Sequence, residues 1–226
     1  DNVIAVETHV NYMRTATVSM QASIFRVEGT PDDNSSVPAD RNTDPTDATQ
    51  PINAASVKSG TVIQTGDEWN YWTSTDAPAS DWATTGSLQS WNRGSGPIGW
   101  GDSAAVTALD IAKKDRAVTY YFARDIDLGA ISPNTTLTVK VRADDGAVLR
   151  VNGKIVDTKR MSDGNITHTT YANSAVSAAK AASDLLEVTL PASLLTSGVN
   201  RIGVEEHLNY KGSPSMTFDL NATLVK

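Results

Sequence analysis

No cysteine occurs in the 226 residues, which excludes a disulfide framework, a thiolate metal site and a thiol nucleophile. Histidine is almost as scarce, with His9, His168 and His207 the only three. An imidazole-rich metal centre needs three or four converging ligands, so none is expected. No run approaches the roughly 20 apolar residues that span a bilayer, so no membrane span is expected. Positive charge is also short: the net charge of −7 argues against nucleic acid, whose binders concentrate Lys and Arg. No basic segment followed by an apolar core opens the chain, so a signal peptide is expected to be absent or already removed.

Repetition is abundant. The chain opens with "DNVIAVETHVNY", and residues 199–210 read "VNRIGVEEHLNY". Residues 2–27 align with 200–225 without a gap at an offset of 198, and eight positions are identical. These pair Asn2, Ile4, Val6, Glu7, His9, Asn11, Tyr12 and Val27 with Asn200, Ile202, Val204, Glu205, His207, Asn209, Tyr210 and Val225. The second halves share apolar alternation at strand period, Val18, Met20, Ala22 and Ile24 against Met216, Phe218, Leu220 and Ala222. Residues 1–28 therefore read as the last two strands of a preceding tandem repeat. Residues 29–54 are dense in Pro, Asp, Ser and Thr and nearly free of large apolar side chains, as in a semi-stiff linker. Residues 55–226 read as one complete domain.

Within that domain the apolar spacing is that of short strands. "TLTVKVR" sets Leu137, Val139 and Val141 on one face; "LLEVTL" does so with Leu186, Val188 and Leu190. "AVLRVNG" turns Leu149 and Val151 inward and Arg150 and Asn152 outward. "ADDG", "VNGK" and "SDGN" carry Asp-Gly or Asn-Gly pairs, strong hairpin signals. Alternation of this kind over many strands predicts an all-β sandwich with a solvated outer face. The Ala-rich stretch 171–186 is open between a short helix and a crossing loop.

In order, the domain shows "DEWNYW", "SGPIGWGD", "TYYFARDIDL", "VRADDGAVLRVNGKIV" and "LPASLLTSGVNRIGVEEH". This series resembles the galactose-binding-like jelly-roll accessory domain of secreted bacterial metallophosphoesterases, glycosidases and surface proteins. The resemblance covers nearly all of residues 65–226, and residues 1–28 match its final strands. It implies a jelly-roll β-sandwich on a secreted or cell-surface multidomain protein, and no activity of its own, because such domains accompany catalytic ones. It also leaves room for a single structural Ca²⁺ and implies no other cofactor. The chain departs from the pattern at Trp100 (usually Tyr), Ala123 (usually Arg), Arg150 (usually a strand aromatic) and Arg201-Ile202-Gly203 (usually Val-Ile-Ala).

Chemistry-bearing groups are few. Glu205 and His207 share a strand face and invite a metal reading, but a hydrogen-bonded pair supporting a loop is preferred. Asp144-Asp145-Gly146 invites a calcium reading, but it lacks the alternating oxygen ligands and closing Glu of an EF-hand loop. The preferred reading there is a hairpin turn with an Asp capping it and Gly146 at positive φ. No nucleophile motif or carboxylate pair stands out, so no catalytic or metal residue is assigned.

The aromatics are more informative: Trp69, Tyr71, Trp72, Trp82, Trp91 and Trp100 fall close together, and no Trp lies elsewhere. Such rings serve sugar recognition or plug a sandwich, and at least three of the five Trp are expected in the core. Trp82 and Trp91, embedded in polar sequence, are expected exposed. The ligand-binding candidates are Trp82, Trp91, Arg93, Trp100 and Asn152. Two functions follow: a non-catalytic binding module, most plausibly for carbohydrate or a cell-surface polymer, or a structural stalk domain packed beside neighbouring repeats. Strands cut from their own domain have exposed edges, so residues 1–28 are expected to pair with a sheet edge, as in a strand-swapped self-association.

Overall fold

A computed structural model describes residues 57–226. The expected repeat tail, 1–28, and the expected linker, 29–54, lie outside the described residues, as does any strand swap through them.

Two six-stranded sheets pack face to face, so the fold is an all-β sandwich. The strands are β1 (Gly60–Ile63), β2 (Glu68–Trp72), β3 (Asn92–Ser95), β4 (Ile98–Trp100), β5 (Thr107–Ala108) and β6 (Thr119–Asp127). They continue as β7 (Thr136–Arg142), β8 (Gly146–Val151), β9 (Lys154–Lys159), β10 (Leu186–Pro191), β11 (Val199–His207) and β12 (Met216–Val225). The first sheet runs β10-β7-β12-β4-β5, with β1 also paired to β12; the second runs β3-β2-β6-β11-β8-β9. Every pairing is antiparallel except β4 with β5.

Alternation decides which faces meet. In β7, Leu137, Val139 and Val141 are buried, while Thr138, Lys140 and Arg142 between them are partly exposed. Met216, Phe218, Leu220, Ala222 and Leu224 of β12 join them, and Phe122 stacks on Phe218 at 3.8 Å across the two sheets. Tyr120, Phe122, Leu149, Val151, Ile202 and Val204 supply the inner face of the second sheet. Burying such side chains contributes roughly 1.5–3 kcal/mol each, which is what holds a cysteine-free domain together.

The turn signals divide. Asn152 and Gly153 both have positive φ and close the β8–β9 hairpin, as Asn-Gly predicts. Asp145-Gly146 does not form a hairpin, because β7 and β8 belong to different sheets and residues 143–145 cross between them. Gly146 is not at positive φ. Its requirement is size, since a Cβ there would lie 2.7 Å from both Ala172 Cβ and Met161 Sδ. Nor does Asp145 cap its own turn: its carboxylate accepts from the distant backbone N–H groups of Val176 and Asn209, each at 2.8 Å. "SDGN" lies in the long connection from β9 to β10, in opposite sheets, and is no hairpin either. In that connection the Ala-rich stretch yields a single turn, α1 (Ala178–Ala181), with the Ser177 hydroxyl accepting from Lys180 N–H at its start.

Candidate functional site

The outer face of the second sheet is not simply solvated. Residues 73–91, between β2 and β3, fold back over it and bring down a second, smaller apolar cluster of Trp82, Ala83, Trp91, Tyr121 and Ala123, flanked by Trp72 and Leu88. Trp82 stacks on Trp91 at 5.9 Å and meets Tyr121 edge-on at 5.2 Å; Trp72 tilts against Trp91 at 5.9 Å. Trp82 and Trp91 are therefore buried, at 8% and 7% exposure, and their expected exposure is corrected. Their polar sequence neighbours face solvent while the indoles turn onto the sheet. Aromatic pairs in such offset and edge-on arrangements gain about 0.5–1.5 kcal/mol beyond area burial.

Two residues of β11 make room for that layer. Gly203 faces the Trp82 ring so closely that a Cβ would sit 2.7 Å from its Cζ3. Arg201, two positions earlier on the same outward face, fastens the loop: its Nη1 donates to the carbonyls of Trp82 (2.7 Å) and Gly86 (3.1 Å). Its Nε and Nη2 grip the two oxygens of Asp125 on β6, at 2.5 and 2.9 Å. A bidentate guanidinium–carboxylate pair with extra carbonyl contacts is geometrically specific as well as strong.

Where the loop meets the sheet, two adjoining grooves open. One, of about 550 Å³, is lined by Asn70, Leu88, Gln89, Trp91, Arg93 and Arg201 among others. The second, of about 510 Å³, includes Thr84, Asn152, Thr196 and Val199 and shares Thr85, Asp125 and Arg201 with the first. Arg93, well exposed on β3, is ion-paired with Glu68 of β2. A largely exposed pair of this kind contributes little to stability.

Three sequence candidates thus line the grooves: Trp91, Arg93 and Asn152. Trp82 lies beneath them. Asn152 is already engaged, its Oδ1 accepting from Arg201 N–H at 3.0 Å and its Nδ2 donating to Asn200 at 2.9 Å. Trp100 belongs elsewhere: it is buried on β4 of the other sheet, donating to Ser213 carbonyl at 3.2 Å with the Arg116 guanidinium 4.3 Å over its ring. Sequence reasoning missed Arg201, Asp125, Asn70 and Gln89. The signal was the departure at Arg201 and Gly203, an Arg and a Gly two apart on one strand face, as a covering loop would require.

Beyond the grooves, Glu205 and His207 do not form the expected hydrogen-bonded pair: His207 alone supports the 167–170 loop, and its Nε2 has no hydrogen-bond partner. His207 Nδ1–H donates to Thr170 carbonyl at 2.7 Å, and its Nε2 lies 3.6 Å from Glu205 Oε2. Glu205 also receives Arg150 Nε at 2.5 Å. Burial alone would raise the Glu205 carboxyl, but His207 and Arg150 outweigh it and hold it below its ordinary value of 4.5.

No family model and no curated protein matches the chain. Among solved structures, the likeness is partial and to bacterial β-glucuronidases. That of Bifidobacterium dentium, complexed with coumarin-3-O-glucuronide, is 13% identical at a TM-score of 0.41, over 66% of this chain and 20% of that one. A calcium-binding mutant of β-glucuronidase 2 from Bacteroides uniformis is 14% identical at a TM-score of 0.46, over 71% and 18%. The Ruminococcus gnavus enzyme is 13% identical at 0.41, over 66% and 22%. This chain spans about a fifth of their length, and likeness at this level transfers no activity.

Proposed function

We propose that the domain is a non-catalytic binding module of a secreted or cell-surface multidomain protein, and that its ligand is a carbohydrate held across the grooves beneath residues 73–91. The observation that carries this reading is the dedicated loop layer on the second sheet. It frames a concavity in which amide, guanidinium and carboxylate groups of Asn70, Gln89, Arg93 and Asp125 surround one indole edge. A polyhydroxylated ligand suits such a lining, which offers both donors and acceptors beside an apolar patch. With Trp91 largely covered, recognition here runs through hydrogen bonds at the rim more than through ring stacking. Among the described residues no three His, Asp or Glu side chains converge as a metal centre, and no catalytic group is assigned.

A glycan array probed with the full chain tests the proposal. A hit that changes tryptophan emission, and that Arg93→Ala and Gln89→Ala weaken about tenfold or more while melting is unchanged, supports the groove. Hits insensitive to both variants, or none across the array, overturn it.

The stalk reading keeps one specific observation in its favour. Trp82, Trp100, Asn152 and Arg201 all make contacts that hold the domain itself together. On that reading the chain is a spacer domain among tandem copies, and the groove is a seam between loop and sheet.

A further inference from the structure

β1 opens the described domain and is held along one short edge. It pairs with β12 alone, from Gly60 opposite Leu224 to Ile63 opposite Ala222, and its register slips between Thr61 and Ile63. β7, on the other side of β12, accompanies it without a break from Asp219 to Val225. Within β1 only Ile63 is buried; Gly60 and Thr61 are exposed and Val62 is half-buried. The chain is next fastened at Gly66, whose N–H donates to both carboxylate oxygens of Asp219 at 3.2 Å, before it crosses to β2 in the other sheet.

The two ends of the sandwich lie side by side. Lys226 N–H donates to the Ser59 hydroxyl at 2.9 Å, and a Cβ on Gly129 would meet Val57 N at 3.2 Å and Lys226 Nζ at 3.4 Å. β11 also starts at this pole, where Gly198 N–H donates to the Gly129 carbonyl at 2.8 Å. It runs to the opposite pole, so Lys211, between β11 and β12, lies there. Tension between Val57 and Lys226 therefore acts across β1 and β12, along their hydrogen bonds and not along the strands. Bonds pulled in that direction open one after another from Gly60 inward. Tension along the strands would strain all of them together.

We propose that β1 is a strap released by tension. Pulled at its two ends, the domain gives up residues 57–65 first and lengthens by that amount, with Gly66 still caught on Asp219. Leaving takes one fully buried side chain, Ile63, out of the core, and that side chain sets the resistance of the strap. The grooves draw their lining from the second sheet and the loops beside it, whereas β1 belongs to the first. The binding face thus stays folded while the strap is out, a partial opening of the kind that single strands undergo ahead of whole domains. A domain built this way is compliant where the chain enters it, which a rigid spacer is not. The inference is independent of what the grooves bind.

The chain lacks cysteine, so paired cysteines give unique handles for optical tweezers on the full chain. Lys58→Cys with Lys226→Cys sets both handles at the shared pole; Lys58→Cys with Lys211→Cys sets them at opposite poles, and all three lysines are exposed. Expected from the first pair is an early, reversible lengthening of about 3 nm, the reach of roughly nine residues, ahead of one large unfolding event. The second pair should show no early step and should unfold at higher force. Ile63→Ala should lower the force of the early step and leave the later event unchanged, because Ile63 has by then left the core. In the unmodified chain, β1 amides should exchange with deuterium about tenfold or more faster than those of β11 and β12. A single unfolding event from the shared pole, or the same early step in both geometries, overturns the proposal. An early step insensitive to Ile63→Ala also overturns it. So does β1 exchange as slow as that of β11, and this measurement decides should a variant fail to fold.

Discussion

Gly203 and Glu205 lie two residues apart on the outward face of β11 and do opposite things there. Gly203 contributes by having no side chain: a methyl would meet the Trp82 ring at 2.7 Å. Gly203→Ala is expected to destabilise the domain by about 1–3 kcal/mol, as overpacking does, read as a lower urea midpoint. An unchanged midpoint would show that the indole moves aside freely. Glu205 contributes through charge. Its folded carboxyl is held below the ordinary value of 4.5, so its stabilising contribution is fully present above that value and fades as pH falls through the folded one. Glu205→Gln should therefore narrow the gap to the unmodified chain as the solution is acidified below about pH 4.5. A melting difference independent of pH would contradict the assignment of that ion pair.

At the scale of elements, the 73–91 segment behaves as a third layer on part of the second sheet, anchored by Arg201 and filled by Trp82 and Trp91. Trp82→Ala removes the ring at the centre of that layer and is expected to cost about 3–5 kcal/mol. Protease cleavage between residues 73 and 91 should accelerate in the same variant; a cleavage pattern identical to the unmodified chain would mean that the loop is held by Arg201 alone. This layer is also where the sequence is least legible. The strands β7 and β10 announce themselves, because each alternates against water on one side, and β8 and β12 alternate in sequence although much of their outer face is covered. Trp82 and Trp91 sit in polar text with no periodicity, and their burial depends on a strand more than a hundred residues away. Likewise, Asp145-Gly146 reads as a local turn, whereas its carboxylate is committed to Val176 and Asn209. Of the groove, the sequence discloses Trp91, Arg93 and Asn152; the floor formed by Arg201 and Asp125 arises only when β6 and β11 pair.

At the scale of the whole molecule, the sandwich formed by the described residues has its own continuous core. Residues 29–54 are proposed as a linker on composition alone. Brief digestion of the full chain should then cut first within 29–54 and leave a resistant fragment that begins near residue 55. A first cut inside the sandwich would instead make the proposed linker the better protected part.

The placement of β11 and β12 bears on how such a chain is made. β11 lies between β6 and β8 in one sheet, and β12 lies between β7 and β4 in the other. Both sheets are thus completed from their middles by the last stretch of this domain, β11 and β12. During synthesis neither sheet can close until that stretch has left the ribosome, and most apolar strands wait meanwhile without their central partners. An interruption of the chain ahead of β12 would therefore not trim an edge. It would remove the strand that joins the two halves of the first sheet, and a prematurely terminated chain should reach the cell's proteases as two unjoined sets of strands rather than as a slightly shortened domain.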